Sequence, residues 1–281
     1  MSIPAEDIWH DEGLNLDFHF NEQGFFVDNE GKRILDHPKG FQNNDLFGDW
    51  LHAYVERQMT KEGLLSRLIP EDNGSPIWYT PGAFNQADKL LVIICGSGRI
   101  PAGLLSVGVC AYHGLDMGSD LPWIRWAKSR NMEVVILNPN HIGYRQLKKK
   151  YNTYGSSEHC LAVFEDLIIP SSPNNVYVLA HSMGGECVCD ICNNFQEWYI
   201  QHVKATALTD AVEDVIKNKT GFTHNYLKTR MIDWVGSSEE GNTKLPPSKL
   251  CAHRSAGTKD HPLTTGKAKD YIIEWFEKLG A

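Results

Sequence analysis

Three nearly continuous apolar runs, Leu90–Cys95, Glu133–Leu137 and Asn175–Ala180, constrain this chain more than any other feature. A strand with one wetted face alternates apolar and polar residues. A continuous run needs cover on both faces, as inside a parallel sheet. Each run ends at a turn: Gly96-Ser97-Gly98, Asn138-Pro139-Asn140, and His181-Ser182-Met183-Gly184. Helical patterns lie between and after them, over Leu121–Ser129, Glu158–Ile168 (with Pro170 to stop it) and Gly184–Trp198. Ala205–Thr209 reads as a fourth strand, Ile232–Val235 as a fifth and Ala252–Ala256 as the last. Gly266–Leu279 reads as a closing amphipathic helix with Tyr271, Ile272, Trp275 and Phe276 on one side. Strands alternating with helices predict an α/β fold: a mostly parallel, doubly wound sheet with helices on both faces.

The chain has 281 residues, enough to bury a large core in one unit. The expected organisation is a single domain over residues 1–281, with 1–80 as an N-terminal hairpin and helix extension packed on it. Phe18–Val27 followed by Asn29-Glu30-Gly31 suggests the hairpin, Asn44–Leu68 carries helical apolar spacing, and Ile77–Thr80 suggests a further strand. No internal repeat is visible.

Composition narrows the function classes. The formal net charge is -8, and the one dense basic run is Lys148-Lys149-Lys150, read as a solvated loop. Duplex binding needs clustered cations, so no direct nucleic-acid partner is expected. No apolar run reaches transmembrane length, so no membrane association is expected. Seven cysteines, an odd number, with no basic-then-apolar leader at Met1–Asp7, fit a reduced intracellular setting. The Asn218-Lys219-Thr220 sequon has no meaning without secretion. Cys187, Cys189 and Cys192 do not share one helix face and are read as small core residues. There is no His-Glu-x-x-His, no zinc-spaced Cys/His set and no phosphate loop, so neither metal nor cofactor is expected.

In open parallel sheets reactive groups gather at the carboxyl ends of strands. Gly96-Ser97, Ser182, Asp210 and His261 all fall at such ends. Ala180-His181-Ser182-Met183-Gly184 is a nucleophile-elbow pattern with its first glycine replaced by alanine, between a buried strand and a helix. This marks the α/β-hydrolase fold, with Ser182 as candidate nucleophile. A serine needs a base, and of the later histidines, His202, His224, His253 and His261, only His261 follows the last strand in a loop. Asp210 ends a strand and is the candidate acid; Glu239, Glu240 and Asp260 are its rivals, and a helix N-cap over Ala211–Ile216 is its structural alternative. The backbone N–H groups of Met183 and Ser97 are the candidate oxyanion donors.

Taken in order, the blocks Phe20–Gly24, Lys89–Gly98, Leu137–Asn140, Gly155–His159, Ala180–Gly185, Ala207–Asp210, Trp234–Glu239 and Ser255–Thr258 with His261 resemble the Argonaute-binding-protein-two (Arb-two) domain family. The resemblance spans nearly the whole chain. It implies an α/β-hydrolase fold, with Ser182 as presumed nucleophile and Asp210 and His261 at family-pattern positions. It also implies Argonaute, chromatin or splicing proteins as partners, and residence in the nucleus or cytoplasm. The His141–Ser157 loop is shorter than in animal members, and no basic tail follows the last helix. Two functions are therefore expected as alternatives. One is a serine hydrolase acting on an unknown ester, thioester or amide. The other is a non-catalytic scaffold in a gene-silencing complex.

Overall fold

The computed structural model describes residues 18–34, 44–69, 71, 74–98, 100–140, 155–217 and 220–281. The Lys148–Lys150 run, most of the 141–157 loop, and Asn218 and Lys219 of the sequon lie outside them.

A short antiparallel pair, β1 (Phe18–Phe20) and β2 (Phe26–Asp28), comes first. Helix α1 (Asn44–Lys61) follows. Phe18, Phe20 and Phe26 pack their rings around Trp50 of α1. The helical pattern was expected to reach Leu68, but α1 ends at Lys61 and β3 (Leu65–Ile69) begins. Gly63 has φ 88° and Leu64 N–H bonds to Met59 O, a glycine-capped helix end. The apolar residues beyond it serve a strand instead. β4 (Ser75–Tyr79) pairs antiparallel with β3.

The rest of the chain supplies β5 (Lys89–Ile94), the short helices α2 (Val107–His113) and α3 (Leu115–Gly118), α4 (Leu121–Ser129) and β6 (Glu133–Leu137). Next come α5 (Ser156–Val163), a π turn over Phe164–Ile168, α6 (Ile169–Ser171) and β7 (Asn175–His181). Pro170 lies inside the last helical turn rather than ahead of it, and Ser172 at φ 51° ends the helical path. The helix expected over Gly184–Trp198 is two, α7 (Gly184–Asn194) and α8 (Gln196–His202), parted at Phe195. β8 (Val203–Thr209), α9 (Gly221–Arg230), β9 (Met231–Val235), β10 (Lys244–Leu245), β11 (Ala252–Ser255) and α10 (Thr264–Lys278) complete the order. Residues 211–217 form no regular element, so Asp210 caps no helix there.

The main sheet has nine strands in the order β10-β11-β9-β8-β7-β5-β6-β4-β3. The six from β11 to β6 run parallel, and β3, β4 and β10 add antiparallel edges. Side chains alternate between two cores, which explains the continuous apolar runs. Leu91, Ile93, Tyr177, Leu179 and Trp234 point to the face covered by α1, α4 and α10. Leu90, Val92, Ile94, Val176 and Val178 point to the face covered by α5, α7 and α9. The chain leaves β5 for β6 on one side and returns to β7 on the other. The loops after β5 and β7 therefore flank the crevice where an open parallel sheet binds ligands. This is a mostly parallel α/β-hydrolase-type sheet, as its strand pattern predicts.

α10 is fastened by Phe276, fully buried, with ring centroids 5.4 Å from Tyr177 and 6.0 Å from Trp126. Phe276→Ala is expected to lower the unfolding free energy by about 3–5 kcal/mol in urea denaturation. A loss under about 1 kcal/mol would show that this contact does not fasten the helix.

Candidate functional site

β7 ends at His181, and α7 begins at Gly184. The two-residue turn between them forces Ser182 to φ 52°, left-handed backbone that a side chain rarely adopts. Such strain persists only where the surroundings impose it. Here they do: Ser182 N–H donates to Thr209 O at 3.1 Å, and Ser182 O accepts from Val212 N–H at 2.8 Å and Gly185 N–H at 3.0 Å. Space is equally restricted. A Cβ on Gly96 would stand 2.9 Å from Ser182 Cβ, and one on Gly184 would stand 2.7 Å from Ile94 O. One on Gly185 would meet Ala211 Cβ at 2.6 Å. The glycines let the loops after β5 and β8 close onto the turn. Ala180 is fully buried, small enough at the position where the pattern usually has glycine.

Asp210 follows β8 with φ 46°, its N–H donating to Trp234 O at 3.1 Å. Its Oδ1 accepts from Gly236 N–H at 2.9 Å. Its Oδ2 lies 2.6 Å from His261 Nδ1. With a carboxylate there, Nδ1 carries the proton and Nε2 is left as the free acceptor, a tautomer assigned from the partner. His261 opens a 3-10 turn, His261–Leu263, whose carbonyl at His261 accepts from Thr264 Oγ1 at 2.8 Å.

The structure thus joins Asp210 to His261 and brings both to the sheet end that carries Ser182. Among the described residues Ser182 Oγ makes no hydrogen bond with His261, and neither Met183 nor Ser97 N–H has a protein acceptor. Open donors are what a site awaiting an oxyanion has, and catalytic hydrogen bonds are often long before substrate arrives. The rival acids are elsewhere. Glu239, Glu240 and Asp260 are exposed, and none bonds to His261. Of the other late histidines, His202 bonds Pro173 O at 2.8 Å and His253 bonds Glu213 at 2.8 Å. His224 lies in α9.

Two further residues shape the site. Asn140 Nδ2 donates to Gly96 O at 2.6 Å and Ile100 O at 2.9 Å, while its Oδ1 accepts from Gly98 N–H at 3.2 Å. It clamps the loop that carries Ser97. Its position after Asn138-Pro139 is the only sequence signal for that role. His181 lies buried under His261, ring centroids 4.8 Å apart, with Nδ1 near Thr209 O at 2.9 Å. Burial, and then the charge of His261, push its pKa down to about 4. A neutral ring there packs beneath His261 at a 33° tilt without competing for its proton.

Residues 149–241 match the family model of the Arb2 domain. The chain is similar to the "Cotranscriptional regulator ARB2A homolog" of Dictyostelium discoideum, 26% identical over 92% of this chain and 77% of that protein. It is also similar to the "Cotranscriptional regulator ARB2A" of Homo sapiens, 26% identical over 83% of this chain and 70% of that protein. Among solved structures it resembles the histone deacetylase Clr3, with TM-score 0.56 and 14% identity, over 88% of this chain but only 41% of that one. It also resembles a histone deacetylase from Saccharomyces cerevisiae, with TM-score 0.54 and 10% identity, over 81% of this chain and 98% of that one. These two likenesses concern the fold alone. No helix among the described residues is long and apolar enough to cross a membrane.

The buried His181 makes a pH prediction. Its folded pKa, about 4, lies below the ordinary 6.5, so the folded state binds fewer protons than the unfolded chain. Its neutral form favours folding fully above the unfolded pKa, and that contribution is lost as pH falls toward the folded one. Urea denaturation should show the wild type losing about 3 kcal/mol from this residue between neutral pH and about pH 4. His181→Gln should lack that component. Equal pH dependence in both proteins would contradict a buried neutral ring.

Proposed function

We propose, from the match of residues 149–241 to the Arb2 domain model, that this chain is a serine hydrolase acting on an ester, thioester or amide in a gene-regulatory setting. The observation that carries this reading is the 2.6 Å Asp210–His261 bond at the sheet end where Ser182 is held at φ 52°. In the proposed mechanism Ser182 Oγ attacks the substrate carbonyl carbon, and its proton passes to His261 Nε2. Asp210 holds the ring by its Nδ1–H and stabilises the imidazolium. The developing oxyanion accepts from Met183 and Ser97 N–H, with Asn140 steadying the Ser97 loop. The intermediate collapses and the leaving group takes the proton from His261. A water molecule, deprotonated by His261, then cleaves the acyl-serine and restores Ser182.

A fluorophosphonate probe tests the reading. Wild-type protein should be labelled once, on Ser182. Ser182→Ala should not be labelled, and Asp210→Asn should react at least about 100-fold more slowly. An unlabelled wild type beside a labelled control hydrolase would remove the reactive serine from the account.

The names of the relatives, cotranscriptional regulators, favour a second reading: a scaffold that offers its surface to Argonaute, chromatin or splicing proteins in the nucleus. Comparing wild type and Ser182→Ala by pull-down and by complementation separates the two. A scaffold keeps both partners and cellular function after the substitution. Retained partners with lost function mean that the serine itself is used.

A further inference from the structure

A second group of reactive side chains lies beside the candidate acid and takes no part in the serine chemistry. Glu213 stands three positions after Asp210, on the irregular segment beyond β8. His253 lies in β11 and Cys251 just before it, two apart, so both side chains fall on one face of that strand. Their atoms converge. His253 Nε2 is 2.8 Å from Glu213 Oε1, and Cys251 Sγ is 3.6 Å from the same oxygen. One ligating atom from each of the three lies within 4.8 Å of the others. Cys251 is buried, while Glu213 and His253 keep 20% of their side-chain surface exposed, leaving a way in from solvent.

Asp233 adds a fourth group. Strand register sets it opposite His253, and it lies within electrostatic reach of both His253 and Glu213. Its exposure is 1%. Oδ2 accepts from Ala211 N–H at 3.1 Å, but Oδ1 has no partner. A carboxylate oxygen this deeply buried is costly to leave unpaired.

We propose that Glu213, Cys251 and His253, with the Asp233 carboxylate beside them, form a binding site for a divalent transition-metal ion of the zinc type. One imidazole nitrogen, one thiolate and one carboxylate are donor types that zinc takes, with a water in the fourth position. The charges also suit a cation. Glu213 and the thiolate formed on binding carry two negative charges, which a divalent ion balances. Binding displaces the thiol proton, and the imidazole proton where it is present, to solvent. A plain Glu213–His253 ion pair would leave the Asp233 oxygen without a partner. The bound ion would tie the segment after β8 to β9 and β11. Because Asp233 also holds Ala211, it would brace the loop that carries Asp210. The site stands whether or not Ser182 reacts. No spacing rule finds it, since its residues come from three separated stretches of chain.

The test uses the full chain, freed of metal by a chelator and titrated with Co²⁺ and then Zn²⁺. One equivalent of Co²⁺ should produce visible bands of a tetrahedral ion and a near-ultraviolet thiolate-to-cobalt charge-transfer band, both removed by Zn²⁺. Cys251→Ser should lose the charge-transfer band. His253→Ala should weaken zinc at least about 100-fold, with folding checked by circular dichroism. Glu213→Gln, which keeps size and shape, should weaken it about 10-fold and decides the matter if the other variants fail to fold. No band in the wild type, a band that survives Cys251→Ser, or zinc affinity unchanged in His253→Ala or Glu213→Gln would overturn the proposal.

Discussion

The left-handed backbone at Ser182 is the constraint on which the surrounding structure depends. A non-glycine residue held there costs on the order of 1–3 kcal/mol. The cost is met because a buried strand enters the turn, a helix leaves it, and three glycines let neighbouring backbone press close. Any side chain at Gly96, Gly184 or Gly185 would push apart the segments whose hydrogen bonds hold the turn. The same contacts that strain Ser182 also locate its neighbours. Thr209 O receives the Ser182 N–H, which fixes Asp210 one residue away, and Val212 N–H returns to Ser182 O. The Ser182 turn and the Asp210 segment are therefore one hydrogen-bonded unit.

Sheet topology explains why the candidate residues gather there. β5 and β7 are adjacent, but the chain between them detours through β6 on the far side. Their carboxyl ends open onto one crevice, with the Gly96–Gly98 loop on one side and the elbow on the other. β8 and the turn before α10 add Asp210 and His261. Asn140, at the end of β6, locks the first loop from the opposite flank. Four strand ends and one helix approach thus meet without any of these residues being close in sequence. The buried, neutral His181 lets this convergence stay compact beneath His261.

Much of this was legible in the chain. The apolar runs mark β5, β6 and β7 to within a residue or two, because burial on both faces leaves little room for polar residues. Ser182, Asp210 and His261 stand out as candidates by their order at strand ends, and the structure joins the last two by a hydrogen bond. Other features were hidden. β3 reads as a continuation of α1, since Leu64, Leu65 and Leu68 extend the apolar spacing; only Gly63 betrays the break. The antiparallel pairing of β4 with β6 depends on contacts across more than fifty positions, as in Trp78 with Ile136. Asn140 and His181 look ordinary in sequence because their roles are relations between backbone loops. Asp233 reads as one polar residue in a strand, and its place beside His253 comes from strand register.

The most direct measurement of the central claim is a crystal structure of the protein after reaction with a fluorophosphonate. The account predicts a phosphonyl group on Ser182 Oγ, with its free oxygen accepting from Met183 and Ser97 N–H. It also predicts His261 Nε2 turned toward the adduct while Nδ1 keeps its bond to Asp210. An unmodified Ser182, or an adduct whose oxygen faces solvent with both N–H groups unused, would contradict it.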